Sequence, residues 1–194
     1  MKSVEYYIKS HLQHYKEDVH FCCTSEDINN LAYALMLKDA IKDIIVPKTD
    51  RLIEQLTDLS EKWADCPMLA HTHGQPASPT TIGKEYSNFT YRLAIQNRRL
   101  RDTEIYGKFN GAVGNYNAHY FVFPDLNWRE ISRSFVEKRL GLVFNPYTTQ
   151  IEPHDSLCRA MTEIGAFNTI LIGLSRDSWE YISKGYLRQK TKEG

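Results

Sequence analysis

Between two long helical patterns the chain runs Ala70-His71-Thr72-His73-Gly74-Gln75-Pro76-Ala77, a short polar break that concentrates two imidazoles, a hydroxyl and an amide. Gly74 and Pro76 oppose helix, so Asp65 to Thr80 is read as loop, with side chains free to converge on a small molecule. An imidazole can give or take a proton near neutral pH, which suits His73 to general acid work. Thr72 and Gln75 add neutral donors beside it. His71 is read as an ordinary solvated loop histidine. A second candidate set is Thr24 and Ser25, which precede Glu26 and Asp27 at the start of a long helical pattern. A helix N-terminus flanked by hydroxyls offers free N–H groups to a carboxylate. Either residue also serves as a plain N-cap, and both readings stay open.

Other chemistries lack their patterns. His71, His73 and Cys66 supply neither a pair of ligand doublets nor H-E-x-x-H, so no metal is expected. There is no G-x-S-x-G nucleophile elbow. The glycine- and asparagine-rich stretch from Gly107 to His119 matches neither a dinucleotide fingerprint nor a P-loop, so no organic cofactor is expected; it favours turns and close approach to a ligand or another chain. Cys22, Cys23, Cys66 and Cys158 form no C-x-x-C pair and are read as reduced thiols. Lys plus Arg and Asp plus Glu balance at 24 each, leaving no global field for a polyanion. The run Arg92, Arg98, Arg99 and Arg101 is interrupted by Asp102 and Glu104, which makes a solvated helix face a better account than a nucleic-acid groove. Met1-Lys-Ser-Val-Glu-Tyr6 lacks the apolar core of a signal peptide, so none is expected, and no apolar run is seen to approach the roughly 20 residues of a bilayer span. A cytoplasmic protein with no membrane partner is expected.

The elements that must position these residues are helical. Val4, Tyr7, Ile8 and Leu12 mark a short amphipathic helix from Ser3 to about Tyr15. Leu31, Leu35, Ile41, Ile44, Ile45, Leu52, Ile53, Leu56, Leu59 and Trp63 keep helical phase from Ser25 to Trp63, across a Pro47 expected to kink the helix without ending it. A second long helix is predicted over Thr81 to Tyr106, on Ile82, Tyr86, Phe89, Leu93 and Leu100, and a shorter one over Asn127 to Leu140 with Trp128, Ile131, Phe135 and Val136 inward. Asp155 caps a last pattern that carries Leu157, Met161, Ile164, Phe167, Ile170, Leu171, Leu174, Trp179 and Ile182 to about Tyr186. Tyr120 to Phe123 is the one strand-like run, and one run builds no sheet. The fold class is all-α, a single domain of long helices over residues 1–194.

Thr72-His-Gly-Gln-Pro-Ala77 resembles the second conserved region of the aspartase/fumarase superfamily, whose members release fumarate from a nitrogen or oxygen leaving group. Thr24-Ser-Glu-Asp-Ile-Asn-Asn30 looks like its first conserved region, and Asn145-Pro-Tyr-Thr-Thr-Gln-Ile-Glu-Pro-His-Asp155 is similar to a segment of the branch that acts on succinylated purine nucleotides. The resemblance implies the central helical domain of the L-aspartase-like fold, a bundle shared in a homotetramer whose active sites draw on several subunits. It implies His73 as general acid, with Thr24, Ser25, Thr72, Gln75 and Gln150 on substrate. The substrates implied are adenylosuccinate and the succinylated aminoimidazole carboxamide ribotide. The likeness corresponds to the middle of a full lyase. A histidine upstream of Lys2 and the serine-bearing mobile loop downstream of Gly194 are absent from these residues, so the chain is expected to be a fragment, inactive alone. The competing expectations are another fumarate-releasing lyase of the superfamily, and a non-catalytic helical oligomerisation module.

Overall fold

The computed structural model describes residues 2–191, and statements of absence below concern those residues. Helices dominate: α1 (Lys2–His11), α2 (Ser25–Asp39), α3 (Val46–Lys62), α4 (Ile82–Arg101), α5 (Asn117–Val122), α6 (Trp128–Ser134) and α7 (Asp155–Ser183). Four short strands are added: β1 (Pro67–Thr72), β2 (Gln75–Thr81), β3 (Tyr106–Gly107) and β4 (Val143–Phe144). The chain divides into two compact units, Met1–Ala40 with Glu104–Cys158, and Ile41–Thr103 with Arg159–Gly194.

The second unit is organised by α3 and α4. Its core gathers Leu56 of α3, Met68 of β1, Ile82, Tyr86, Phe89 and Leu93 of α4, and Phe167 and Ile170 of α7. Thr81 caps α4 by accepting the Lys84 N–H. Gly83 lets the helices touch: a Cβ there would lie 2.3 Å from the Ser60 carbonyl oxygen. Inside the contact, the Thr49 hydroxyl donates to Asn97 at 2.5 Å, and Asn97 donates to Asp50 at 2.6 Å. In the first unit Leu31 and Ala34 of α2 are buried, as are Ile105, Tyr116, Val136, Leu142 and Phe144. The two-residue strands β3 and β4 pair in parallel there.

Several expectations are corrected. Asp65 to Thr80 is not loop, since β1 and β2 form an antiparallel hairpin. Its prolines, Pro67, Pro76 and Pro79, are tolerated because a two-stranded ribbon is all edge and asks for few N–H donors. Helical backbone does continue past Pro47, as expected, but by way of a π turn over Ala40–Ile45 that sets Pro47 in the first turn of α3, the register change that accommodates a ring without an N–H. Residues 120–122, read as strand-like, belong to α5. The helix predicted to reach Leu140 is α6 followed by a π turn over Phe135–Arg139. Ile44, Ile131 and Phe135 were predicted inward and are exposed in the single chain, because periodicity reports an apolar face and not what covers it; Met161, Trp179 and Ile182 of the last apolar pattern are exposed as well. Finally, α7 is long and apolar enough to cross a membrane by length and composition, its most apolar 18 residues having mean hydropathy 1.2, against the expectation of no such run. Phe167 and Ile170 place part of that apolar surface in the core of the second unit.

Candidate functional site

His73 and Gly74 form the two-residue turn between β1 and β2, with Thr72 and Gln75 as the closing pair. Both turn residues have positive φ, 50° and 75°, the combination that a tight hairpin with right-handed strand twist requires. The turn therefore presents Thr72, His73 and Gln75 side by side at the hairpin tip. All three are exposed, and none of their side chains makes a hydrogen bond within the described residues. Such a tip has donors to offer and nothing of its own to satisfy them. His71, two residues back, is half-buried with its ring edge-on to Tyr186, 5.8 Å between centroids, so packing and not solvent accounts for it. It also lines a cavity of about 200 Å³ with Glu85, Asp177, Glu180, Tyr181 and Lys184. Burial, then Glu180 and Glu85, raise the Asp177 carboxyl; burial and Glu85 likewise raise the Tyr181 hydroxyl, which donates to Glu85 at 3.1 Å.

In the first unit, Thr24 is the N-cap of α2 and Ser25 its first residue. The Gln150 amide donates to the Thr24 hydroxyl at 3.2 Å, so two of the candidate residues, 126 positions apart, meet. Glu26 and Asp27, adjacent acids in the first turn of α2, have different surroundings. Asp27 is fully buried and accepts the N–H of Thr24 at 2.9 Å, of Asn110 at 3.2 Å and of Gly111 at 3.2 Å. The Lys108 ammonium, also fully buried, lies 2.8 Å from the same carboxylate and donates to the Gly111 carbonyl at 2.9 Å. Asn30 pairs with the backbone of Lys108 in both directions, at 3.0 and 2.8 Å. Glu26 instead lies 3.6 Å from the His154 ring, whose other nitrogen is 3.5 Å from Glu152.

Sequence reasoning missed Asp27, Lys108 and Asn110 as a buried frame beneath the α2 N-terminus. The spacing Thr24-x-x-Asp27 carried a signal for the cap, since an acid three residues after a cap can return to its N–H. A lysine with no solvent exposure had no comparable signal. Cys23, beside the site, is no nucleophile near neutral pH: burial first, then Asp27, push its thiol up to about 12. His119 packs edge-on between Phe109, Tyr116 and Trp128 with neither ring nitrogen hydrogen-bonded, and burial lowers its pKa against the opposing pull of Asp27. No group of three or more His, Cys, Asp or Glu among the described residues could hold a metal ion.

A helical scaffold with an exposed histidine at a hairpin tip and a hydroxyl-lined helix N-terminus suits an enzyme that handles a carboxylate and a proton. A family model described as Lyase matches residues 1–194, and the chain belongs to this family of lyases. Adenylosuccinate lyase from Haemophilus influenzae is 48% identical over 200 residues, covering 100% of this chain and 44% of that protein. The adenylosuccinate lyases of Escherichia coli K12 and Vibrio cholerae are 49% and 46% identical over the same span and share of each chain. The chain thus spans less than half the length of these curated relatives.

Proposed function

We propose that these residues are the central part of an adenylosuccinate lyase, which in its full-length form eliminates fumarate from adenylosuccinate, giving AMP, and from the succinylated aminoimidazole carboxamide ribotide. The observation that carries this reading is near-50% identity to proteins of that name over the whole chain. A base takes the proton from the carbon beside one succinyl carboxylate. The resulting electron pair forms the fumarate double bond, the carbon–nitrogen bond breaks, and the departing nitrogen takes a proton from His73. Thr24 and Ser25, with the α2 N-terminus behind them, bind a succinyl carboxylate, while Thr72, Gln75 and Gln150 donate to substrate. His73 stands free of internal partners, which leaves its imidazole available for the leaving group.

The proposal includes a homotetramer with a shared long-helix bundle and active sites assembled from several copies, acting in the cytoplasm. The exposed apolar residues of α7, Met161, Ile172, Trp179 and Ile182, support it, because a second copy would remove that surface from water. Fumarate release by the full-length protein tests the function directly. His73→Gln is expected to lower kcat by at least about 100-fold with a smaller change in KM, the signature of a lost transition-state proton donor. Wild-type turnover in that variant, or no fumarate from either substrate with the unmodified protein, overturns the reading.

A further inference from the structure

Gln150 lies on an exposed loop, where an amide side chain would ordinarily sample many rotamers. Two contacts from the glycine- and asparagine-rich segment hold that loop. The fully buried Asn110 donates its side-chain N–H to the Thr148 hydroxyl at 2.8 Å. Gly114, at φ +80°, lies so near the same residue that a Cβ would fall 2.1 Å from the Thr148 carbonyl oxygen. The close approach anticipated for this segment is therefore made to the chain's own Thr148.

These contacts close a ring. Asn110 and Thr24 each donate a backbone N–H to the Asp27 carboxylate, Asn110 holds Thr148, and Gln150, two residues on, returns to Thr24 at 3.2 Å. Lys108 fixes the charge at the centre of it. We propose that Thr148 is a positioning residue: its hydroxyl, gripped by Asn110, holds the Gln150 amide at the Thr24 hydroxyl, so that the two bind substrate as one pre-set donor pair. This rests on the reading of Thr24 and Gln150 as substrate-binding. The gain is preorganisation, since a side chain already confined loses less freedom when the ligand arrives.

The test uses Thr148→Val, which keeps the shape and removes the hydroxyl, Thr148→Ser, which keeps the hydroxyl, and Gln150→Ala as reference, all in the full-length protein. Thr148→Val is expected to raise KM about 3- to 10-fold with kcat changed less than about twofold, the result of lost uniform binding. Thr148→Ser should return KM to the wild-type value, whatever the two do to the melting temperature. If Thr148→Val does not fold, Thr148→Ala removes the same hydroxyl without stranding a methyl against Asn110. Wild-type KM in the hydroxyl-free variant, or a serine variant as impaired as the valine one, overturns the positioning role while an impaired Gln150→Ala leaves the substrate reading standing. Unchanged KM in Gln150→Ala overturns both.

Discussion

Removing the charge from Lys108 should unfold the first unit less readily than removing it from Asp27. Both groups are fully buried, with Nζ 2.8 Å from Oδ1, and losing one partner of a buried ion pair costs about 3–5 kcal/mol because the other is left uncompensated. In Lys108→Met, however, the Asp27 carboxylate keeps three backbone donors, from Thr24, Asn110 and Gly111. In Asp27→Leu the ammonium is left with the Gly111 carbonyl, and the same three amides lose their acceptor, each at about 1–3 kcal/mol if unsatisfied. Lys108→Met is therefore placed near the lower end, about 3 kcal/mol, and Asp27→Leu at or above the upper, about 5 kcal/mol. At about 2–4 °C per kcal/mol for a chain of this size, the first lowers Tm by about 6–12 °C and the second by about 10–20 °C. The double variant should melt above Asp27→Leu alone, since it removes the stranded ammonium. Thermal and urea unfolding followed by circular dichroism at pH 7 give all three values. Equal losses, the reverse order, or a double variant no better than Asp27→Leu would refute the accounting of donors around this carboxylate.

Gly83→Ala should destabilise the second unit by about 1–3 kcal/mol, because the new methyl meets the Ser60 carbonyl at 2.3 Å and α3 and α4 must part; an unchanged melt would show that they do not touch there. His119 ties stability to pH. Its pKa is lowered on folding from the ordinary 6.5, so the unfolded chain binds the proton more tightly. The stability this burial preserves is complete above about pH 6.5 and lost as pH falls toward the folded value, by at most about 1.4 kcal/mol per pH unit. His119→Phe should flatten that part of the melting-versus-pH curve, and an identical slope in the variant would exclude His119 as its source. Maleimide should label the exposed Cys158 well before Cys23 at pH 8, since Cys23 holds its proton until about pH 12; mass spectrometry of a partial reaction decides the order.

Helix phase made much of this architecture legible: Thr24 was placed at a helix start from its hydroxyl, and the start of α4 near Thr81 and its core residues from the apolar spacing. The hairpin was not legible because proline and glycine suppress the usual strand signal while costing a two-stranded ribbon little. The π turn before Pro47 was hidden for a related reason, since apolar spacing tolerates one slipped hydrogen-bond register. Of the site, Thr24 and Gln150 were each singled out from motif likeness, but their contact with one another was not foreseen. The ring that holds them depends on the interior environments of Asp27, Lys108 and Asn110, polar residues that composition alone assigns to the surface.

The left-handed turn at His73 also bears on how the hairpin trades firmness for use. In a two-residue turn of this hand, asparagine before glycine is the sequence the backbone prefers, and other residues adopt left-handed geometry at a cost of about 1–2 kcal/mol. His73→Asn should therefore tighten the ribbon even as it removes the imidazole. On the role proposed for His73, that difference in turn stability is what the hairpin gives up to carry an imidazole in place of an amide at its tip.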